Sequence, residues 1–139
     1  MSPLARTRIL ITEDDPDTRA LLEFLLDGDG HEVTSTSSLE EALNAAKLGT
    51  FDLYLLDNWL AASSGIELCE KLREFDPLTP ILFCSGAAYE KDKENALLAG
   101  AQGYLVKPVD ADVLIAEVSR LIADARKVGM SGGLSSEQS

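Results

Sequence analysis

Short apolar runs bounded by charge alternate along this chain with stretches whose apolar residues recur every three or four positions. Arg8 to Thr12 (RILIT) is the first run and reads as a strand. Asp15-Pro16 marks a helix start, with Asp15 as N-cap and proline in the first turn. Leu21, Phe24 and Leu25 follow at helical spacing, and Gly28 and Gly30 close the helix. His31 to Ser35 is a short β-branched run that suits a strand near a sheet edge. Ser38 with Glu41 predicts a capping box for the next helix, whose apolar face is Leu39, Ala42, Leu43 and Ala46 and whose end is Gly49. Phe51 to Leu56 is a third strand, Gly65 to Phe75 a helix stopped by Asp76-Pro77, and Pro80 to Cys84 a fourth strand. Tyr89 to Ala99 is a charged helix, Gly103 to Val106 a fifth strand, and Asp110 to Lys127 a last helix with Leu114, Val118, Leu121 and Ile122 on one side. From 128 to 139 the composition is that of a flexible tail.

Alternating strands and helices predict an α/β fold, a single-domain parallel sheet covered by helices on both faces. The third and fourth runs are almost wholly apolar, as strands buried on both faces should be. The 139 residues suit one domain, placed at 6–127. A net charge of -12 repels nucleic acid and anionic membrane, so no direct partner of either kind is expected. No apolar run reaches the roughly 18 residues of a membrane span, and the N-terminal stretch MSPLARTRILITEDD lacks the apolar core of a signal peptide. A cytoplasmic protein is the expectation. Cys69 and Cys84 read as small core residues, and His31 as an exposed loop residue without a role.

Open parallel sheets bind ligands at the carboxyl ends of their strands. Glu13, Asp14 and Asp15 follow the first strand, Asp57 the third, Ser85 and Gly86 the fourth, and Lys107 the fifth. One lysine cannot balance several acids: two like charges about 4 Å apart repel by roughly 4 kcal/mol at an effective dielectric near 20. A divalent cation can, and oxygen ligands without His or Cys favour Mg2+ over zinc. Asp15 reads as the helix cap rather than a ligand. A carboxylate beside such an ion can act as nucleophile toward phosphorus. Lys107, the Ser85 hydroxyl and nearby backbone N–H groups would hold the phosphoryl oxygens.

The segments ILITEDD, LYLLDNWLAASSGIEL, ILFCSGAA and GYLVKP, in this order over about residues 6 to 127, resemble the receiver domain of two-component response regulators. The resemblance implies a doubly wound (βα)5 flavodoxin-like fold with sheet order 2-1-3-4-5. It implies Asp57 as phosphoacceptor, supplied by a histidine kinase or histidine phosphotransfer protein. Glu13 and Asp14 match the acidic magnesium pair, with the Trp59 backbone carbonyl as a further ligand. Ser85 matches the switch hydroxyl, Tyr104 the switch aromatic and Lys107 the family lysine, and Lys107-Pro108 resembles the family's cis peptide. Phosphorylation would draw in Ser85, let Tyr104 move inward, and alter the face made by helix 4, strand 5 and helix 5 toward a downstream protein or a second copy of the chain. The family's Met-Pro after the phosphoacceptor is absent: Leu60 and Ala61 stand there, which should loosen the loop. Trp59 is bulky beside the site and bears on how long a phosphoryl group survives.

The expected function is therefore a stand-alone receiver that catalyses only its own phosphoryl transfer and autodephosphorylation. A receiver-like binding module that is never phosphorylated, and a receiver fragment of a larger regulator or hybrid kinase, are the alternatives. A hydrolase working through an aspartyl-phosphate is disfavoured, because such enzymes commonly carry a second Asp where this chain has Trp59.

Overall fold

A computed structural model describes residues 6–138, with side chains described to residue 128. Met1–Ala5, where the N-terminal stretch examined for a leader begins, and Ser139 of the expected tail lie outside the described residues. The elements run β1 (Arg8–Thr12), α1 (Pro16–Gly28), β2 (Glu32–Thr36), α2 (Leu39–Leu48), β3 (Leu53–Leu56), β4 (Trp59–Leu60), β5 (Ser63–Ser64), α3 (Gly65–Phe75), β6 (Ile81–Ser85), α4 (Glu90–Ala99), β7 (Gly103–Val106) and α5 (Ala111–Gln138). Five parallel strands form one sheet in the order β2-β1-β3-β6-β7. With the two-residue strands β4 and β5 set aside, this is the expected 2-1-3-4-5 order.

Strand side chains alternate between the two faces. Leu10, Tyr54, Leu56, Ile81 and Phe83 pack with Ala42, Leu68, Leu72 and Ala96 under α2, α3 and α4. Ile9, Ile11, Leu53, Leu55, Leu82 and Cys84 pack with Leu22, Leu26, Leu114 and Val118 under α1 and α5. Both cysteines are buried, and burial pushes each thiol up to about 11, in keeping with a packing role.

Four expectations change. In α1 the buried residues are Leu22 and Leu26, while Leu21 and Phe24 are 56% and 75% exposed. The run LLEFLL offers two apolar stripes at helical spacing, and packing against α5 and the sheet centres on Leu22 and Leu26, with Leu25 of the expected stripe partly buried beside them. His31 is buried at 7% exposure, one residue before β2. Its N–H donates to Leu26 and its carbonyl accepts from Arg6, so the turn draws the ring inside. In the segment after β3, where a loosened loop was expected, Trp59–Leu60 and Ser63–Ser64 pair as an antiparallel hairpin. Finally, α5 continues past Lys127 to Gln138 where a flexible tail was expected. None of Gly129, Gly132 and Gly133 takes the left-handed conformation that would cap it; among the described residues only Gly30 and Gly100 have positive φ.

The edge away from the strand carboxyl ends is closed by polar clamps. Arg73 of α3 donates to the carbonyls of Gly100, Asp76 and Thr79 and to the Gln102 amide, fixing the end of α4. Asp76 accepts from the Tyr54 hydroxyl at 2.6 Å and from the Thr79 and Leu78 N–H groups. Burial works against its charge, but these hydrogen bonds outweigh it and hold the carboxyl below its ordinary 3.8. A depressed folded pKa stabilises fully above the unfolded value and loses that contribution as pH falls through the folded one. Tyr54→Phe is therefore expected to cost about 1 kcal/mol at neutral pH. It should also shrink the stability lost on acidification below about pH 4, as urea unfolding across a pH series will report.

Candidate functional site

Sheet register builds the site. Thr12 pairs with Leu56, and the next N–H along, that of Asp57, donates to the Thr12 carbonyl at 3.1 Å. Glu13 N–H donates to Thr36 at 3.1 Å, and Lys107 N–H to Ser85 at 2.9 Å. Each of these side chains thus leaves the sheet one step beyond a paired strand end, on the same edge. The peptide bond that follows Lys107 is cis, as the resemblance implied.

Glu13 and Asp57 are both buried. The Lys107 ammonium lies between them, 2.5 Å from Glu13 Oε1 and 3.1 Å from Asp57 Oδ2. The sequence assigned this lysine to Asp57; the structure shares it between two carboxylates. Burial raises the Glu13 pKa, and the charge of Asp57 raises it further, against the Lys107 hydrogen bond that lowers it. Burial also works against the lysine's charge, but its hydrogen bonds to Glu13 and Asp57 prevail and hold its pKa above the ordinary value. The second Asp57 oxygen, Oδ1, accepts from the Trp59 N–H at 3.2 Å.

Glu13, half-buried Asp14 and Asp57 each place a carboxylate oxygen within 4.8 Å of the others. One ammonium leaves this group with two uncompensated negative charges. An octahedral magnesium ion spans about 4.2 Å between opposite oxygens, so donor type, charge and spacing all fit that ion. Asp15 is exposed and takes the predicted cap role, accepting from Thr18 N–H at 2.9 Å. Trp59, two residues past Asp57, is 62% exposed.

Ser85 is fully buried, and its Oγ accepts from the Ala87 N–H at 3.2 Å. Tyr104 stacks on Phe83 at 5.6 Å between ring centroids, and its hydroxyl donates to the Ala87 carbonyl at 2.6 Å. Its half-buried hydroxyl finds its acceptor in the Ala87 carbonyl. The backbone of Ala87 thereby ties Ser85 to Tyr104 through a single residue. Sequence reading missed it, since an alanine signals nothing through its side chain. It also missed Gly65. A Cβ there would stand 2.3 Å from the Asp57 carbonyl oxygen, 2.8 Å from Phe83 and 2.9 Å from the Asn58 Cα. The signal available was glycine at the first position of a helix, where alanine would propagate better.

An open parallel sheet carrying this acid–lysine cluster at its carboxyl edge is the architecture of a receiver domain, a class that generally binds Mg2+ in an acidic pocket. The response regulator receiver domain family matches residues 9–119, and the chain belongs to it. The cell cycle transcriptional regulator CtrA of Caulobacter vibrioides is 34% identical over 115 residues, covering 83% of this chain and 50% of CtrA. The cell cycle response regulator CtrA of Brucella ovis is 36% identical over the same span. A CheY-like response regulator receiver domain protein from Methanospirillum hungatei superposes with a TM-score of 0.85 at 28% identity, over 88% of this chain and 98% of that one. NtrX from Brucella abortus gives 0.88 at 27% identity, over 94% of this chain and 30% of NtrX. The chain spans about half the length of the curated relatives it matches. Among the described residues no helix is long and apolar enough to cross a membrane.

Gly65→Ala should destabilise the protein by about 2–3 kcal/mol, because rigid backbone rather than a mobile side chain blocks the new methyl group. Urea unfolding is the check, and a shift under a few tenths of a kcal/mol would mean that the loop after Asp57 yields.

Proposed function

We propose that the chain is a phosphorylation-controlled receiver in which Asp57 accepts a phosphoryl group from the phosphohistidine of a histidine kinase or histidine phosphotransfer protein. An Asp57 carboxylate oxygen attacks phosphorus and forms an O–P bond. The N–P bond to the donor imidazole breaks, and the imidazole keeps the electron pair and takes up a proton. The observation that carries this reading is the buried Asp57 carboxylate, 3.1 Å from the Lys107 ammonium within a three-carboxylate group at the sheet edge.

Glu13, Asp14 and the Asp57 side chain, with the Trp59 backbone carbonyl, would hold Mg2+, which supplies neutralising charge for the incoming phosphoryl oxygens. Lys107 keeps a positive charge beside the nucleophile throughout. The Ser85 hydroxyl and the N–H of Trp59 are the donors available to oxygens that gain charge in transfer. The protein acts in this scheme only on its own phosphoryl group and has no separate substrate.

Output passes through protein contacts of the α4, β7 and α5 face, with Ser85 and Tyr104 as the switch pair, in the cytoplasm where phosphohistidine donors work. That two-state behaviour needs only a differential interaction of the phosphoryl group with two arrangements of one face. The length of the relatives supports a second reading, in which this receiver is one part of a longer regulator.

Trp59 is the only tryptophan, so its fluorescence reports the site directly. Magnesium followed by beryllofluoride or a small-molecule phosphodonor is expected to change the emission in two steps. Asp57→Asn should abolish the second step, and Asp14→Asn should weaken the first by about tenfold or more. A parent protein that does not respond, or an Asp57→Asn variant that responds like it, would leave only a binding module that is never phosphorylated.

A further inference from the structure

Two loops border Asp57, and one side chain joins them. Trp59 donates its backbone N–H to Asp57 Oδ1 at 3.2 Å. Its indole crosses to the loop after β6, where a Cβ on Gly86 would stand 3.0 Å from Cζ3 and within 3.8 Å of two further ring atoms. The ring therefore rests on the Gly86 backbone itself. Burial does not explain this placement, because the indole is mostly exposed. The loop it touches is short and tightly tied. At the next residue, Ala87 N–H is held by Ser85 Oγ and the Ala87 carbonyl by the Tyr104 hydroxyl. Tyr89 then caps α4, its N–H donating to Asp92 at 3.0 Å. Helix α4 buries only Ala96, so little core packing opposes its movement.

We propose that Trp59 is a positioning residue that transmits the state of the Asp57 carboxylate to α4 through its contact with Gly86. This rests on Asp57 being the phosphoacceptor. When Oδ1 changes charge or partner, the Trp59 N–H loses its acceptor geometry and the backbone of the loop shifts. The indole moves with that backbone. Because Gly86 offers no side chain to absorb the motion, the loop itself must follow, and with it the start of α4. This link runs beside the one through Ser85 and Tyr104, and it has a different point of entry: the backbone of Trp59 rather than a hydroxyl aimed at the phosphoryl group.

The test uses the full chain and backbone amide spectra at saturating magnesium and beryllofluoride. Amides of Asp57 to Trp59 and Lys107 report binding, and amides of Glu90 to Leu98 report transmission. In the parent both groups are expected to shift. In Trp59→Ala the α4 shifts, scaled to the site shifts, should fall to about half or less. Gly86→Ala is the second variant. Its methyl group pushes on the indole, so it should displace α4 amides without ligand, and that displacement should vanish when Trp59→Ala is added. A parent-like ratio of α4 to site shifts in Trp59→Ala, or a Gly86→Ala effect that survives loss of the indole, would overturn the inference alone. No response at the Asp57 amides of the parent would overturn the phosphoacceptor reading and the inference with it.

Discussion

The Lys107 ammonium between Glu13 and Asp57 is the interaction on which the rest of the site depends. Two carboxylates held almost wholly out of water cost several kcal/mol each if unpaired. They are tolerable because one cation reaches both, at 2.5 and 3.1 Å. That reach is a consequence of sheet order. β1 and β3 are neighbours and deliver Glu13 and Asp57 side by side, and β6 separates β3 from β7, which brings Lys107 in from across one strand. A lysine has the length to span that gap, and its charge at the tip rather than along the stem lets the apolar part line the edge. The pairing neutralises part of the cluster and no more. What remains negative is the reason a small, hard cation fits.

Most of the strands were legible because the chain buries them on both faces. Such strands must be apolar at every position, and LYLL and PILFC stand out from their charged surroundings for that reason. The site residues were legible for the converse reason: a carboxylate or lysine directly after an apolar run must be at a strand end, and strand ends of a parallel sheet share an edge. The neighbourhood of β1 with β3, and so the closeness of Glu13 to Asp57, came from the resemblance. Periodicity does not set strand order.

The failures share one physical cause, which is that local pattern cannot rank alternatives that only tertiary contacts separate. LLEFLL presents two stripes, and the sheet chooses between them. His31 sits one residue before a strand, in a turn held by bonds from its backbone to Leu26 and Arg6 that no side-chain pattern displays. The hairpin after β3 follows from the Gly65 N–H, which donates to the Asn58 carbonyl at 2.9 Å and draws the loop closed. No side chain announces that bond. The Ala87 peptide is the plainest case, since everything it does is done by backbone atoms.

The distribution of burial also bears on which element can respond. α3 buries Gly65, Leu68, Cys69 and Leu72, whereas α4 buries Ala96 alone and leaves Leu97 and Leu98 exposed. Removing a helix like α3 from its seat exposes several large apolar groups at about 1.5–3 kcal/mol each, but α4 has only the small side chains of Ala96 and, in part, Ala99 at stake. Its two ends are held differently. Arg73 clamps Gly100 at the far edge with charge-assisted hydrogen bonds, while the near end hangs from the short loop of Ser85, Gly86 and Ala87. A weakly packed helix fixed at one end and tied at the other to the residues beside Asp57 has the least core packing to oppose a displacement. Under the proposed function, a small displacement at Asp57 would reach α4 more readily than the core, which is close-packed and resists it.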